Sequence, residues 1–214
     1  MAENKKNRHL PMIVCAGLHL AAVCLCLLAG CAHPASSPDP GCDVLFYGDS
    51  ITAGGHFDEF FPELRVVNLG INGATMEDLT EWVPRVSAHH PAKIFLMAGG
   101  NNLEAGHVDA CAELFRGLLD ALREACPYAE IYIESMLPVE KANAYWNNCP
   151  NPVIRAFNAR LEALAEEYGM PYLDIYPAYE DRGGLNGALT DDGVHLKRDA
   201  FGPWAEIVRP YLEP

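Results

Sequence analysis

From residue 43 onward, the chain alternates short apolar segments with longer segments whose apolar residues recur at helical spacing. Two parallel strands need a long crossover between them, usually a helix, so this alternation is typical of a parallel sheet with helices on both faces. The apolar segments predict five strands, at residues 43–47, 65–68, 93–97, 130–134 and 172–175. We therefore predict an α/β domain of three layers, built on a doubly wound sheet of five parallel strands.

Four segments between and after these strands have the spacing of amphipathic helices. The first begins at Thr75 in a sequence like a capping box, and the second covers about residues 107–125. We predict that Asn151 is the N-cap of the third helix, with Pro152 at its first helical position. The last helix is predicted to follow Asp199.

Two long loops, at about residues 136–150 and 177–194, follow the fourth and fifth predicted strands. Ligands of open α/β sheets bind beyond the carboxyl ends of the strands, so these loops are where a binding site is expected. The first loop carries Tyr145 and Trp146 beside two asparagines. Aromatic faces next to amides suit a sugar ring, so this loop is a candidate binding loop and favours a ligand that carries a sugar.

The first 30 residues have the pattern of an export signal. Lys5, Lys6 and Arg8 precede an almost uncharged apolar run over residues 10–30. The run ends in Leu-Ala-Gly-Cys, which resembles the bacterial lipobox and implies that the thiol of Cys31 is acylated with a fatty acid after cleavage. A plain transmembrane anchor is the alternative, because about 20 apolar residues can span a bilayer. Both interpretations place the domain outside the cytoplasm.

Residues 31–41 are polar and contain three prolines, so we predict a flexible tether there and a single domain at 42–214. The formal net charge is −14, and basic residues are not clustered in the sequence beyond the export signal. Nucleic acid is therefore excluded as a partner, since phosphate binding relies on clustered Lys and Arg. We expect contact with the membrane only through the lipid at Cys31.

Four cysteines fall within the predicted domain: Cys42, Cys111, Cys126 and Cys149. An even number in an exported domain permits two disulfides, with three pairings that the sequence does not separate. Buried thiols are the alternative interpretation. The spacing of these cysteines does not suggest a metal site, and no cofactor is predicted.

Four short polar sequences lie where predicted elements end at the same edge of the sheet. They cover residues 48–50, 68–73, 99–102 and 192–195. The first of them, Gly-Asp-Ser, is weak evidence by itself, because a serine after a strand is often a turn residue or a helix cap. The four sequences taken in order are a stronger signal.

This ordered set resembles the GDSL-type esterases, also called SGNH hydrolases. The resemblance implies that Ser50 is the nucleophile, with His195 as its base and Asp192 as the residue that orients the base. It also implies an oxyanion hole made of the backbone N–H groups of Ser50 and Gly70 and the side-chain amide of Asn101. Tight-turn geometry is the alternative explanation for Gly70 and Gly73, and a loop-capping amide is the alternative for Asn101.

Elementary chemistry supports these residue types independently. A serine hydroxyl is a poor nucleophile at neutral pH and needs a base to accept its proton. An imidazole can serve because it titrates near neutrality, and a carboxylate on its other nitrogen fixes the tautomer. Asp191 is next to Asp192 and could orient the imidazole instead, but the D-x-x-H spacing of the family selects Asp192.

The resemblance covers about residues 43–212 and implies the flavodoxin-like fold of SGNH hydrolases. One position departs from the family pattern, which usually has Gly-x-Asn-Asp in the third sequence, whereas this chain has Asn102. We expect an altered hydrogen-bond arrangement in that loop and retained chemistry.

The function implied is hydrolysis of carboxylic esters, with O-acetyl or other short acyl groups carried on carbohydrate expected as the substrate. A lysophospholipase or thioesterase of the same family is one alternative, and acyl transfer to a sugar is another. A surface lipoprotein that binds glycans without turnover is the alternative from a different class.

Overall fold

The computed structural model describes residues 41–103, 106–140 and 149–212. The predicted export signal, Cys31, Tyr145 and Trp146 lie outside the described residues. Five parallel strands form one sheet in the order β2-β1-β3-β4-β5, which confirms the predicted three-layer α/β class. The strands are β1 (Cys42–Gly48), β2 (Val66–Gly70), β3 (Pro91–Met97), β4 (Glu130–Glu134) and β5 (Tyr172–Leu173).

Six α-helices connect or follow these strands within the described residues. They are α1 (Ser50–Ala53), α2 (Phe57–Phe60), α3 (Met76–Ser87), α4 (Val108–Ala125), α5 (Asn151–Tyr168) and α6 (Gly202–Val208). A short antiparallel hairpin, β6 (Glu180–Asp181) with β7 (Gly184–Leu185), lies in the loop before the last helix. No helix in the described ranges is long and apolar enough to cross a bilayer.

Neighbouring residues of β1 show how the sheet is covered on both faces. The hydroxyl of Tyr47 donates to the carbonyl of Leu79 in α3 at 2.5 Å. The adjacent Phe46 stacks on Phe57 of α2, with ring centroids 3.6 Å apart, and Phe57 meets Trp204 of α6 edge to face. Successive side chains of a strand point to opposite faces, so α3 lies on one side of the sheet and α2 and α6 lie on the other.

The course of β1 separates the point where the chain enters the domain from Ser50. The strand begins at Cys42 and ends at Gly48, so its seven residues run from the end of the sheet where the strands begin to the end where they finish. At about 3.3 Å per residue this is a distance of roughly 20 Å. The chain therefore enters the domain at the edge opposite to the one where Ser50 lies.

The helix termini partly follow the sequence pattern. Thr75 caps α3 in a capping box with Asp78, as predicted. The third predicted helix begins one residue earlier than expected, with Pro150 as its N-cap and Asn151 inside it. The reason is that the Asn151 side chain bonds to both the N–H and the carbonyl of Val139, at 2.9 and 2.7 Å, and so holds a different segment of chain.

Cys42, Cys111, Cys126 and Cys149 are all buried, and each stands as a thiol without a disulfide bond. Of the two interpretations offered by the sequence, the structure therefore shows buried thiols. Burial raises the pKa of Cys42 to about 11, and the nearby Asp43 carboxylate raises it further than the Arg65 guanidinium lowers it. This thiol is consequently protonated at neutral pH.

Glu134 is a buried acid at the end of β4. The indole N–H of Trp204 donates to its Oε1 at 2.6 Å, while Oε2 has no hydrogen-bond partner among the described residues. Burial raises the pKa of Glu134 to about 8, against the opposing effect of the Trp204 bond. The carboxyl is therefore protonated at neutral pH, and its bond to Trp204 fixes α6 to the sheet.

We expect the Glu134→Gln variant to gain stability relative to the parent as pH rises from 4.5 to 9. Between the unfolded pKa near 4.5 and the folded value of about 8, the native state holds a proton that the unfolded chain has lost. The contribution of Glu134 to the parent's free energy of unfolding therefore falls as pH rises, by at most about 1.4 kcal/mol per pH unit. Glutamine keeps the acceptor for Trp204 and has no proton to lose.

The thermal midpoints of the parent and the Glu134→Gln variant, measured at pH 4.5 and pH 9, check this. We expect the difference between them to move in favour of the variant by at least about 4 °C at the higher pH. A difference that stays constant between the two pH values would show that Glu134 titrates alike in the folded and unfolded chains.

Candidate active site

Ser50 is the first residue of α1, directly beyond the carboxyl end of β1. The turn before it is fixed by Asp49, the N-cap of α1, whose buried carboxylate accepts the N–H of Ile51 at 3.0 Å. Because the helix begins at Ser50, its backbone N–H is one of the first-turn donors that have no partner inside a helix. The hydroxyl and this N–H therefore lie together at the carboxyl edge of the sheet.

A chain of hydrogen bonds links Ser50, His195 and Asp192. Ser50 Oγ lies 2.8 Å from His195 Nε2, and His195 Nδ1 lies 2.6 Å from Asp192 Oδ2. With the Nδ1 proton directed at the carboxylate, Nε2 is the unprotonated nitrogen and accepts the hydrogen bond from the serine hydroxyl. The structure brings together these three residues, which are as much as 145 positions apart in sequence.

The loop that carries the imidazole is held by hydrogen bonds from its backbone N–H groups to two of its own side chains. Asp192 Oδ1 accepts the N–H groups of Val194 at 2.9 Å and of His195 at 2.8 Å. The hydroxyl of the buried Thr190 accepts the N–H of Gly193 at 2.8 Å. Asp192 therefore uses one oxygen to shape the turn and the other to orient the ring.

Asp49, beside Ser50, and Asp192, bonded to His195, have opposite pKa shifts. Burial raises the pKa of Asp192, but the hydrogen bonds from the His195 ring and from two backbone N–H groups outweigh it and bring the pKa to about 2. Asp49 is completely enclosed, so burial raises its pKa to about 6 despite the Ile51 N–H and the nearby His195. Asp192 is thus the carboxylate that stays ionised throughout the range in which an imidazole can act as a base.

Asp191, the other candidate for orienting the imidazole, points elsewhere. Its Oδ1 lies 3.2 Å from Nζ of Lys197, and its side chain is 86% exposed. The structure therefore places Asp192, and not Asp191, against the imidazole of His195.

Gly70 does not occupy the place expected of an oxyanion donor, and this corrects the expectation from the sequence. It is the last residue of β2, and its N–H already donates to Asn68 Oδ1 at 2.8 Å. A Cβ at this position would lie 2.1 Å from the backbone nitrogen of Ala53. Gly70 is required because β2 approaches α1 closely, so it supports the nucleophile's helix and leaves no N–H for a substrate.

Gly73 is better placed than Gly70 to donate to an oxyanion. It lies in the exposed turn between β2 and α3 and has a φ of +74°, in the left-handed region that favours glycine. No acceptor bonds to its N–H within the described part of the chain. The Asn101 side chain donates to the carbonyl of Ala74 at 2.8 Å, which brings the predicted amide donor to the same turn.

The segments that follow Ser50 and His195 are joined by Arg198. Its Nη1 lies 2.7 Å from Nε2 of His56, and its Nη2 pairs with the carboxylate of Glu59. Both charged side chains are more than half exposed, so the ion pair adds little stability. The ion pair does fix positions, because it connects the loop that carries His195 to the segment that follows Ser50.

The arrangement contains the groups that acyl transfer needs: a partly exposed hydroxyl, a base bonded to it, an ionised carboxylate and the backbone N–H of the nucleophile at a helix start. Metal chemistry has no comparable set of ligands here. In the parts of the chain that the structure describes, no three His, Cys, Asp or Glu side chains are grouped to hold an ion.

Comparison with known proteins gives an independent result. A family model described as the GDSL-like Lipase/Acylhydrolase family matches residues 46–200. A multidomain esterase of Ruminococcus flavefaciens is 27% identical over 132 residues, which is 60% of this chain and 17% of the relative. The chain therefore corresponds to only about a sixth of that larger protein.

Solved structures share the fold. A GDSL-like lipase from Bacteroides thetaiotaomicron superposes with a TM-score of 0.67 at 22% identity, covering 80% of this chain and 88% of that one. A variant of an acetyl-xylooligosaccharide esterase from Geobacillus Stearmophilus has a TM-score of 0.63 at 21% identity, covering 83% and 97%. At these identities the two structures show a common fold alone.

Proposed function

The chain belongs to the GDSL-like lipase/acylhydrolase family, and on that premise we propose that it is a serine esterase that hydrolyses carboxylic esters. The observation that carries the proposal is the pair of contacts at 2.8 and 2.6 Å that join Ser50, His195 and Asp192. Residues of these types at these distances form the arrangement that activates a serine hydroxyl.

In the proposed reaction, Ser50 Oγ attacks the ester carbonyl as His195 Nε2 takes its proton. The imidazolium, stabilised by Asp192, then gives that proton to the departing alcohol and leaves an acyl group on Ser50. Water, deprotonated by the same nitrogen, attacks the acyl carbon, and the imidazolium returns that proton to Ser50 Oγ as the bond to the serine breaks and the acid is released. Serine, imidazole and carboxylate return to their starting states.

We propose that the oxyanion of each tetrahedral intermediate is bound by the backbone N–H groups of Ser50 and Gly73 and by the Asn101 amide. Loss of one such donor costs about 3 to 4 kcal/mol of transition-state stabilisation in enzymes where it has been removed. One amide hydrogen of Asn101 bonds to Ala74, and the amide carries a second that can face the substrate.

The substrate we propose is an O-acetyl or other short-chain ester, carried on carbohydrate. The residues of the proposed oxyanion site and the base support a small acyl group, because Gly73 and Asn101 are exposed and the His195 side chain is 49% exposed. An open polar rim suits a bulky hydrophilic alcohol and offers little apolar surface to a long chain. Similarity to a multidomain esterase over 60% of this chain supports ester hydrolysis as the reaction.

A series of p-nitrophenyl esters with acyl chains of two to twelve carbons tests the acyl preference. We expect kcat/KM to be highest for acetate or another short acyl group. A maximum at about eight carbons or longer would contradict the proposal and favour a lysophospholipase or thioesterase. Release of free acetate from acetylated xylooligosaccharides, compared with transfer to added sugar, separates hydrolysis from acyl transfer.

We also propose that the protein is exported and held at the cell envelope by a lipid on Cys31. The basic residues, apolar run and Leu-Ala-Gly-Cys sequence at the amino terminus support this. Incorporation of labelled palmitate into the parent, and its loss in a Cys31→Ser variant, is the expected result. Equal labelling of both proteins would rule out Cys31 as the attachment point.

A further inference from the structure

The side chain of Asn102 bridges the loop after β3 to the first turn of α3. Its Oδ1 accepts the N–H of Met76 at 2.7 Å, and its Nδ2 donates to Glu77 Oε2 at 2.6 Å. Met76 is the first residue of α3, and its N–H is one that the N-cap side chain of Thr75 does not reach, because that side chain bonds to Asp78. The Asn102 amide therefore supplies an acceptor that the helix itself lacks.

Asn102 is in turn held in place by its backbone. Its N–H donates to the carbonyl of Gly99 at 3.0 Å, and its own carbonyl accepts the thiol of Cys111 at 3.2 Å. All four polar groups of the residue are thus engaged. A side chain fixed in this way can determine the position of whatever it binds.

What it binds is the end of the turn proposed to supply the oxyanion donor. Residues 71–75 form that turn, which contains Gly73 and leads directly into Met76. Asn101 bonds to the same turn through the carbonyl of Ala74 at 2.8 Å. Two consecutive side chains therefore hold the turn: Asn101 binds it at Ala74, and Asn102 binds the start of the helix that follows it, at Met76.

We propose that Asn102 is a positioning residue for this oxyanion turn and that Glu77 is its matched partner. The inference rests on the proposed esterase function. Asn102 acts through the turn and does not itself touch the substrate. Its role is to keep Gly73 at a fixed distance from Ser50 while the charge on the substrate oxygen develops.

The chemistry of the amide explains why Asn102 and Glu77 go together. An amide offers one acceptor and one donor, which match the Met76 N–H and the Glu77 carboxylate. An aspartate at position 102 could still accept the Met76 N–H, but its other oxygen would face the Glu77 oxygen that now lies 2.6 Å from Nδ2. Two carboxylates at that distance repel each other, and the turn would shift to separate them.

A double-mutant cycle tests the proposal with p-nitrophenyl acetate as substrate. We expect Asn102→Asp to lower kcat by about 10- to 100-fold, the cost of displacing a catalytic group by a fraction of an ångström to 1 Å, with little change in KM. Adding Glu77→Gln should restore most of the lost kcat, since the glutamine amide can donate to the carboxylate introduced at position 102. The single Glu77→Gln variant completes the cycle.

Glu81→Gln is the matched control, because Glu81 is an exposed acid on the same helix and its replacement removes one charge without touching the bridge. We expect it to leave kcat of the Asn102→Asp variant low. Rescue by Glu81→Gln as large as that by Glu77→Gln would overturn the proposal, because it would reduce the effect to net charge. Thermal midpoints of all variants separate a shifted turn from a failure to fold.

The outcomes distinguish this inference from the proposed function. An Asn102→Asp variant with the parent's kcat would overturn the positioning role and leave the esterase proposal intact. Hydrolysis by the parent that persists after Ser50→Ala would overturn both.

Discussion

Replacing Ser50 by alanine is expected to reduce kcat for p-nitrophenyl acetate by roughly 10⁶-fold, the size of the loss when a triad serine is removed. The hydroxyl is the only atom group lost, and His195 Nε2, 2.8 Å away, would then have no nucleophile to activate. The fold should be unaffected, because Ser50 contributes no other side-chain bond among the described residues. Steady-state hydrolysis and covalent labelling by a fluorophosphonate followed by peptide mapping provide the two measurements.

Ser87→Ala is the matched control for this variant. The Ser87 side chain is partly exposed at the end of α3, and its hydroxyl donates to the carbonyl of Pro84 at 3.2 Å. We expect its loss to leave both kcat and fluorophosphonate labelling near the parent's values. Labelling at any residue other than Ser50, or full activity of the Ser50→Ala variant, would refute the assigned nucleophile.

The second large effect is expected from Asp192→Asn, with kcat falling by about 10⁴-fold at neutral pH. Asp192 now accepts on both oxygens, from the His195 ring at 2.6 Å and from two backbone N–H groups through the other oxygen. An asparagine has only one oxygen. If its NH₂ faces the ring, Nδ1 must accept and Nε2 carries the proton, so the imidazole cannot act as a base. If its NH₂ faces the backbone, donor meets donor and the turn opens.

Asp191→Asn separates this mechanism from a general loss of negative charge. It makes the same chemical change one residue earlier, at a side chain paired with Lys197 at 3.2 Å. We expect kcat within a few fold of the parent. A larger loss from Asp191→Asn than from Asp192→Asn would show that the orienting residue has been assigned to the wrong neighbour.

The five strands could be predicted from the sequence because each is an apolar segment bounded by turn residues, and buried parallel strands have little other requirement. The fifth was predicted too long, since only Tyr172 and Leu173 pair with β4. α1 and α2 were not predicted, because four-residue helices are too short to show a period of 3.6. The sequence pattern predicts Asn151 as a cap because the pattern of a helix start does not show that a distant loop needs this side chain.

The site was predictable where its geometry is local or set by topology. Ser50 follows directly from the end of β1, and the turn from Asp192 to His195 is closed by bonds within four residues. The oxyanion donor in the loop after β2 was not predictable, because Gly70 and Gly73 look alike in the sequence and differ only in their surroundings in the fold. The available signal was position: Gly70 still lies within a strand, where backbone groups are already paired, and Gly73 lies beyond it.

The direction of β1 has a consequence for how the molecule would meet its substrate. The chain enters the domain at the amino end of β1, and the nucleophile Ser50 lies beyond its carboxyl end, roughly 20 Å away. A domain fastened to a surface by that end, as the sequence around Cys31 leads us to expect, can turn its reactive side outward to the medium. Insoluble or very large polymers could then be deacylated without having to pass between the enzyme and the layer that carries it.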